Sequence, residues 1–271
     1  MNRTPAEKRA TFRTLHNEGC FVLPNPWDAG SARLLQHLGF AALASTSAGY
    51  AWSTGRPDYA VTLEDVVEHL KVLCESVDLP VNADFENGFA SDPSEVVGNV
   101  TLAIQTGVAA FSIEDRKFGD VGSLYDTPVA VERIKAARKA IDASGEDVIL
   151  VGRTEGLLID SSEVTKAIDK LVALADAGAD CLYAPGVRSK NDISAMVRAV
   201  APRPLNVLAI GPDLSLSEFA DLGVRRVSVG GALALGSWNA MIDAAQKLKA
   251  GLFDRPVPAT TGRQLNAIFA K

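Results

Sequence analysis

Gln105-Thr106-Gly107-Val108-Ala109-Ala110-Phe111-Ser112-Ile113-Glu114-Asp115 contains the repeating unit of this chain. An amphipathic stretch ends at Gly107, and a glycine just past a helix adopts the left-handed conformation that closes it. An apolar run follows at once, and its last two residues turn acidic. The same junction recurs as Gln36-His37-Leu38-Gly39-Phe40, Asp176-Ala177-Gly178-Ala179 and Asp221-Leu222-Gly223-Val224. It is the αβ step of a repeating βα unit.

Reading outward from these junctions gives strands near 20–24, 41–46, 79–84, 109–114, 147–153, 180–185, 204–210 and 225–230. Helical patterns fill the gaps at 28–38, 62–77, 93–106, 128–143, 162–177, 190–200, 215–222 and 233–249. Asp28, Thr62, Asp92 and Ser215 stand where N-caps belong, and Pro93 suits a first helical turn. Alternating strands and helices of this number predict an α/β fold, a (β/α)8 TIM barrel. A doubly wound sheet fits less well, because no GxGxxG follows the first strand. No linker divides the chain, so residues 1–271 read as a single barrel domain. Residues 1–19 add an N-terminal helix. Residues 251–271, with Pro256 and Pro258 and then a short helix, read as an oligomerisation tail.

Composition excludes several classes of function. The net charge of -6 argues against nucleic-acid and anionic-membrane partners. No apolar stretch is long enough to span a bilayer. The polar start, Met1 to Arg9, lacks the apolar core of a signal peptide, so a cytoplasmic location is expected. Cys20, Cys74 and Cys181 are odd in number and far apart, which predicts buried thiols and no disulfide framework. His16, His37 and His69 fall within helical patterns, away from the strand ends. Without a His/Cys cluster, zinc is not expected.

The chemistry is carried by charged strand ends. Pro80-Val81-Asn82-Ala83-Asp84, Phe111 to Asp115 and Val148-Ile149-Leu150-Val151-Gly152-Arg153 each run from apolar to charged. Burying such a group without a partner is costly, so several together predict a shared polar pocket. In this barrel the site lies at the carboxyl ends of the strands. Asn82, Asp84 and Glu114 offer oxygen ligands suited to Mg²⁺, with Mn²⁺ as an alternative, and Asp58 is within reach of the same ion. The planar fork of Arg153 suits a carboxylate or phosphate. Thr46, Ser47 and Asn206 offer polar contacts to a substrate. Plainer readings stand beside these. Asp84 and Arg153 could form a structural ion pair, and Glu114 and Asp115 could reach solvent. Asp58, Thr46 and Ser47 could be turn residues, and Gly230-Gly231 a tight βα turn.

The ordered runs Thr46-Ser47-Ala48-Gly49, Arg56-Pro57-Asp58, Asn82-Ala83-Asp84, Ile113-Glu114-Asp115 and Gly152-Arg153-Thr154-Glu155 resemble the phosphoenolpyruvate mutase/isocitrate lyase superfamily. The opening Pro24-Asn25-Pro26-Trp27-Asp28-Ala29-Gly30-Ser31-Ala32 fits it too, and the likeness covers about residues 20–250. The resemblance implies Mg²⁺ at the barrel mouth and a small 2-oxo or 2-hydroxy carboxylic acid bound to it. It also implies a tetramer with exchanged C-terminal helices. Thr46 and Ser47 would hold the carboxylate, and Asp84, Glu114 and Asp58 the metal. Arg153 would hold the anionic end, with Arg153, Asp58 and Glu114 as the catalytic group.

Two departures are visible. Asn82 replaces the first acid of the family's Asp-x-Asp motif. The loop Arg116 to Tyr125 has neither the Cys nor the His of the isocitrate-cleaving lid, though Gly119 and Gly122 still suit a mobile lid. The expected activity is therefore Mg-dependent cleavage of a C–C bond through a metal-stabilised enolate, by decarboxylation of an oxaloacetate-like acid or by retro-aldol cleavage. The alternatives are mutase or hydrolase chemistry on a P–C bond, and a non-catalytic 2-oxo-acid binding protein.

Overall fold

A computed structural model describes residues 3–209, 214–253 and 260–270. In chain order the elements are α1 (Pro5–Leu15), β1 (Phe21–Leu23), α2 (Ala29–His37), β2 (Leu43–Ala44), α3 (Ser47–Ser53), α4 (Leu63–Ser76) and β3 (Val81–Asp84). There follow α5 (Pro93–Gln105), β4 (Ala110–Glu114), β5 (Arg116–Lys117), β6 (Asp120–Leu124), α6 (Thr127–Ser144), β7 (Ile149–Arg153) and α7 (Gly156–Ile159). The last are α8 (Val164–Asp176), β8 (Cys181–Tyr183), α9 (Lys190–Val200), β9 (Leu205–Leu208), α10 (Leu216–Asp221), β10 (Arg226–Ser228), α11 (Ala232–Lys249) and α12 (Gly262–Phe269).

Eight strands form one parallel sheet in the order β1-β10-β9-β8-β7-β4-β3-β2. Its two ends meet where the Ala44 N–H donates to the Pro24 carbonyl at 3.0 Å. The expected barrel is the observed fold. The helices start where their caps predicted. Asp28, Thr62, Asp92 and Ser215 accept from the backbone N–H groups of Ser31, Asp65, Ser94 and Glu218. Each cap satisfies a donor that the helix itself leaves free.

Three elements were not expected: α3, α7 and the antiparallel β5/β6 hairpin. All are short and lie at the carboxyl ends of barrel strands, where tertiary contacts rather than apolar periodicity hold the chain. Gly119, at φ 77°, makes the hairpin turn. Gly122 is outside the left-handed region, so only one of the two lid glycines uses its freedom. Pro256, Pro258 and the end of the expected strand at 210 lie outside the described residues. Arg33 of α2 donates to the Phe269 carbonyl at 3.1 Å, which docks α12 on its own barrel.

Two apolar layers result. The outer one packs helices on the sheet. The inner one joins Phe12 of α1 to Leu23, Ala42, Ala44, Ala110, Ile149, Val151 and Cys181. Phe12 is fully buried and meets Phe21 edge-on at 6.1 Å, so α1 plugs the amino-terminal end of the barrel. Lys8 secures it by donating to the Cys74 and Val77 carbonyls, and Arg9 by donating to those of Val108 and Ile104. Polar residues are left to gather at the opposite end. No helix among the described residues is long and apolar enough to cross a membrane. Cys74 and Cys181 are buried and Cys20 half-buried, all as free thiols.

Two histidines link this packing to pH. His16 Nδ1 donates to the Phe12 carbonyl at 2.8 Å, while Nε2 has no partner. Burial, then the nearby charge of Arg226, pushes its pKa down to about 3. His69 stacks on Tyr50 at 3.8 Å, and burial pushes it down to about 4 against the attraction of Asp28. Both are neutral when folded but take up protons near pH 6.5 when unfolded. Their contribution is complete above pH 6.5 and is lost as pH falls toward 4. Urea midpoints should therefore drop between pH 7 and pH 5, and His16→Gln with His69→Gln should flatten that dependence. An unchanged slope in the double variant would remove these histidines as its cause.

Candidate active site

Alternate residues of each strand face the barrel interior. Asp84, Glu114 and Arg153 end β3, β4 and β7, three neighbouring strands, and Glu114 is in register with Arg153. Arg153 is the centre of the cluster. Its Nη1 lies 3.0 Å from Asp84 Oδ1, its Nη2 3.2 Å from Glu114 Oε2 and its Nε 2.6 Å from Glu155 Oε1. The Tyr183 ring lies 5.2 Å away. Burial opposes the charge of Arg153, but Glu114, Glu155 and Asp84 outweigh it and hold the guanidinium protonated.

Glu114 is 2% exposed and accepts from the Tyr59 hydroxyl at 2.8 Å. Burial raises its carboxyl well above the usual range, against the pull of Arg153. Asp115, next in sequence, faces the other way and is 1% exposed. It accepts from Thr154 Oγ1, Lys170 Nζ and the Glu155 N–H at 2.7, 2.7 and 2.8 Å, bracing the segment that carries Glu155. Neither acid reaches solvent.

A cavity of about 140 Å³ opens at these strand ends. Of the expected site residues, Thr46, Ser47, Asp58, Asn82, Asp84, Arg153 and Asn206 line it, and Glu114 does not. Thr46 caps α3, its hydroxyl accepting from the Gly49 N–H at 3.2 Å. The Ser47 N–H donates to Asp84 Oδ2 at 3.1 Å. Gly230 forms a tight turn, its N–H donating to Asn25 Oδ1 at 2.9 Å, and Gly230 and Gly231 line the same cavity.

Of the four expected metal ligands only Asp58 and Asp84 act as a pair. Burial raises the Asp58 pKa and the charge of Asp84 raises it further, while the Ser47 side chain and the Tyr59 N–H pull it down. These two carboxylates repel one another across the cavity. Glu114 is instead held by Arg153 and Tyr59, and Asn82 Oδ1 accepts from Arg226 Nη1 at 3.1 Å. Among the described residues no three His, Cys, Asp or Glu side chains form a ligand cluster. Asp58 and Asp84 still fit a Mg²⁺ site, because that ion takes one or two carboxylates and completes its shell from water and substrate.

Sequence reading missed Tyr59, Glu86 and Arg226 as parts of the site. Tyr59, at φ 64°, is strained for a non-glycine residue and carries no sequence signal beyond following Pro57-Asp58. Glu86 is buried, with Oε1 unpartnered. Burial, then Asp84 and Asp58, pushes its pKa up to about 8. Arg116 Nε reaches Glu155 Oε2 at 3.2 Å and its guanidinium lies over the Tyr59 ring, tying the hairpin to the site. Between hairpin and barrel lies a second cavity of about 780 Å³, lined among others by Tyr59, Glu86, Lys117 and Phe118.

The family model for phosphoenolpyruvate phosphomutase matches residues 12–249. The crystal structure of a candidate lyase/mutase from Burkholderia cenocepacia is 44% identical, covers 98% of both chains and has a TM-score of 0.94. The structure of 2,3-dimethylmalate lyase, described as a phosphoenolpyruvate mutase/isocitrate lyase superfamily member, is 30% identical. It covers 98% of this chain and 94% of its own, with a TM-score of 0.84. The oxaloacetate decarboxylase of Paraburkholderia xenovorans is 29% identical over 96% of this chain and 88% of its own length. The same fold, with charged strand ends converging where the motifs placed them, agrees with these matches: the chain belongs to the phosphoenolpyruvate mutase/isocitrate lyase superfamily of enzymes.

Proposed function

We propose that this enzyme is a divalent-metal-dependent lyase that cleaves a C–C bond in a small 2-oxo or 2-hydroxy acid, with an oxaloacetate-like acid as the first candidate. The observation that carries the reading is the Arg153 clamp set beside the Asp58–Asp84 pair in one small cavity. A decarboxylase and a lyase of small diacids among its relatives support it.

Asp58 and Asp84 would hold Mg²⁺, which when bound would supply Lewis acidity toward a substrate oxygen. The residues of the chain do the rest. Asp84 also orients the Ser47 amide at the cavity wall. Glu155 and Glu114 hold the Arg153 fork in one orientation, so it meets a substrate carboxylate without reorganising. Closure of the hairpin excludes water, which strengthens each of these interactions. The hairpin has no Cys or His, so neither residue type supplies from the lid the proton that quenches the carbanion.

Oxaloacetate decarboxylation should require Mg²⁺ or Mn²⁺, and Asp84→Asn should lower kcat by about 10²–10³-fold, the scale of one lost stabilising group. Full turnover in excess chelator would sink the metal reading. Turnover of phosphonopyruvate alone would transfer the site to P–C chemistry, and binding of 2-oxo acids with turnover of neither would make it a binding protein.

Arg153→Lys replaces a fork with a point charge and should cost about 2–4 kcal/mol in kcat/KM. A loss of melting temperature with unchanged kinetics would make Arg153 a structural hub only. Oxalate should protect residues 117–125 from limited proteolysis. Equal cleavage at saturating oxalate would count against a closing lid.

A further inference from the structure

Beneath the carboxylates lies a second guanidinium, which the lyase reading does not use. Arg226 of β10 is 2% exposed and lines the same cavity. Its Nε donates to Asn206 Oδ1 at 3.0 Å and its Nη1 to Asn82 Oδ1 at 3.1 Å. Nη2 makes no hydrogen bond to the described residues, and none of their carboxylates lies within ion-pair distance. The titratable groups that feel its charge most directly, His16 and Cys181, are both neutral at pH 7. Arg153 has three acids. Arg226 has two neutral amides.

A buried cation without a counter-charge is among the costliest groups a fold can hold. A purely structural tie between β3, β9 and β10 needs hydrogen bonds but no charge. Asn82 is what leaves the charge in place, since an acid at that position would neutralise Arg226 at salt-bridge distance. Asn206 is locked in turn by its Nδ2, which donates to Ser228 Oγ at 3.0 Å, so both amides present their oxygens to the guanidinium.

We propose that Arg226 is a carboxylate receptor at the cavity floor, and that its uncompensated charge makes it a specificity-determining residue for anionic substrates. The assignment deepens the lyase reading and rests on it only for the anion being a carboxylate. It divides the work between two arginines. Arg153 is neutralised by its acids and sets geometry at the mouth, while Arg226 supplies the net attraction below. Substrates that carry a free carboxylate into the floor are favoured over their amides and esters.

The test is equilibrium binding of oxalate to the full chain by calorimetry, with and without Mg²⁺, in Arg226→Met and Asn206→Asp. The second variant keeps the side-chain shape and sets a carboxylate against Nε, quenching the charge with the guanidinium still present. In both, oxalate affinity should fall at least ~10-fold, as for loss of a charged hydrogen bond. Mn²⁺ affinity, read by electron paramagnetic resonance, should change less than about threefold, as for an independent site. Unchanged oxalate affinity in either folded variant overturns the proposal, as does a parallel loss of Mn²⁺ affinity or a thermal defect alone. If Arg226→Met does not fold, Asn206→Asp decides. Charge-dependent oxalate binding without oxaloacetate turnover would remove the lyase reading and keep Arg226. Turnover that is indifferent to both variants would do the reverse.

Discussion

The four-membered ionic cluster of Arg153 with Asp84, Glu114 and Glu155 is the constraint around which the open end of the barrel is arranged. A half-buried guanidinium at the end of β7 is stable only if the ends of β3 and β4 bring carboxylates to it, and only if the segment after β7 turns back to bring a third. Breaking such a cluster by removing one member strands the others, which costs far more than the cluster contributes when whole. That requirement fixes the relative heights of three strands. It also explains why Asp115, facing away, is itself fully braced by Lys170 and Thr154.

The same cluster transmits to the hairpin. Glu155 accepts from both Arg153 and Arg116, and Arg116 lies over Tyr59, whose hydroxyl donates to Glu114. Hairpin, loop and barrel therefore share one electrostatic network. The contacts of β5/β6 thus reach Glu155 directly and Glu114 through Tyr59.

Opposite charges at opposite depths follow from how the barrel is filled. Phe12 and small alanines occupy the amino-terminal end, which leaves room at mid-height for the Arg226 side chain between Asn82 and Asn206. Among the described residues, the mouth is rich in acids and Arg226 lies below them without an acid within ion-pair distance.

Much of this was legible in the chain. Gly107, Gly178 and Gly223 close helices before apolar runs, and Asp28, Thr62, Asp92 and Ser215 open them. Those local rules depend only on backbone conformation and helix-end hydrogen bonding, so the barrel and the position of Asp84, Glu114 and Arg153 at strand ends could be read directly. The partners of each side chain could not. Which acid Arg153 holds, that Glu114 binds Tyr59 and lies outside the cavity, and that Asn82 faces Arg226 from 144 residues away depend on strand register and on the depth of each residue in the barrel. Tyr59 and Glu86 carry little sequence signal, because left-handed backbone at a non-glycine is held by tertiary contacts. Local propensity determined the elements and the faces their residues take. Long-range electrostatics in a closed, desolvated space decided which of those residues form the site.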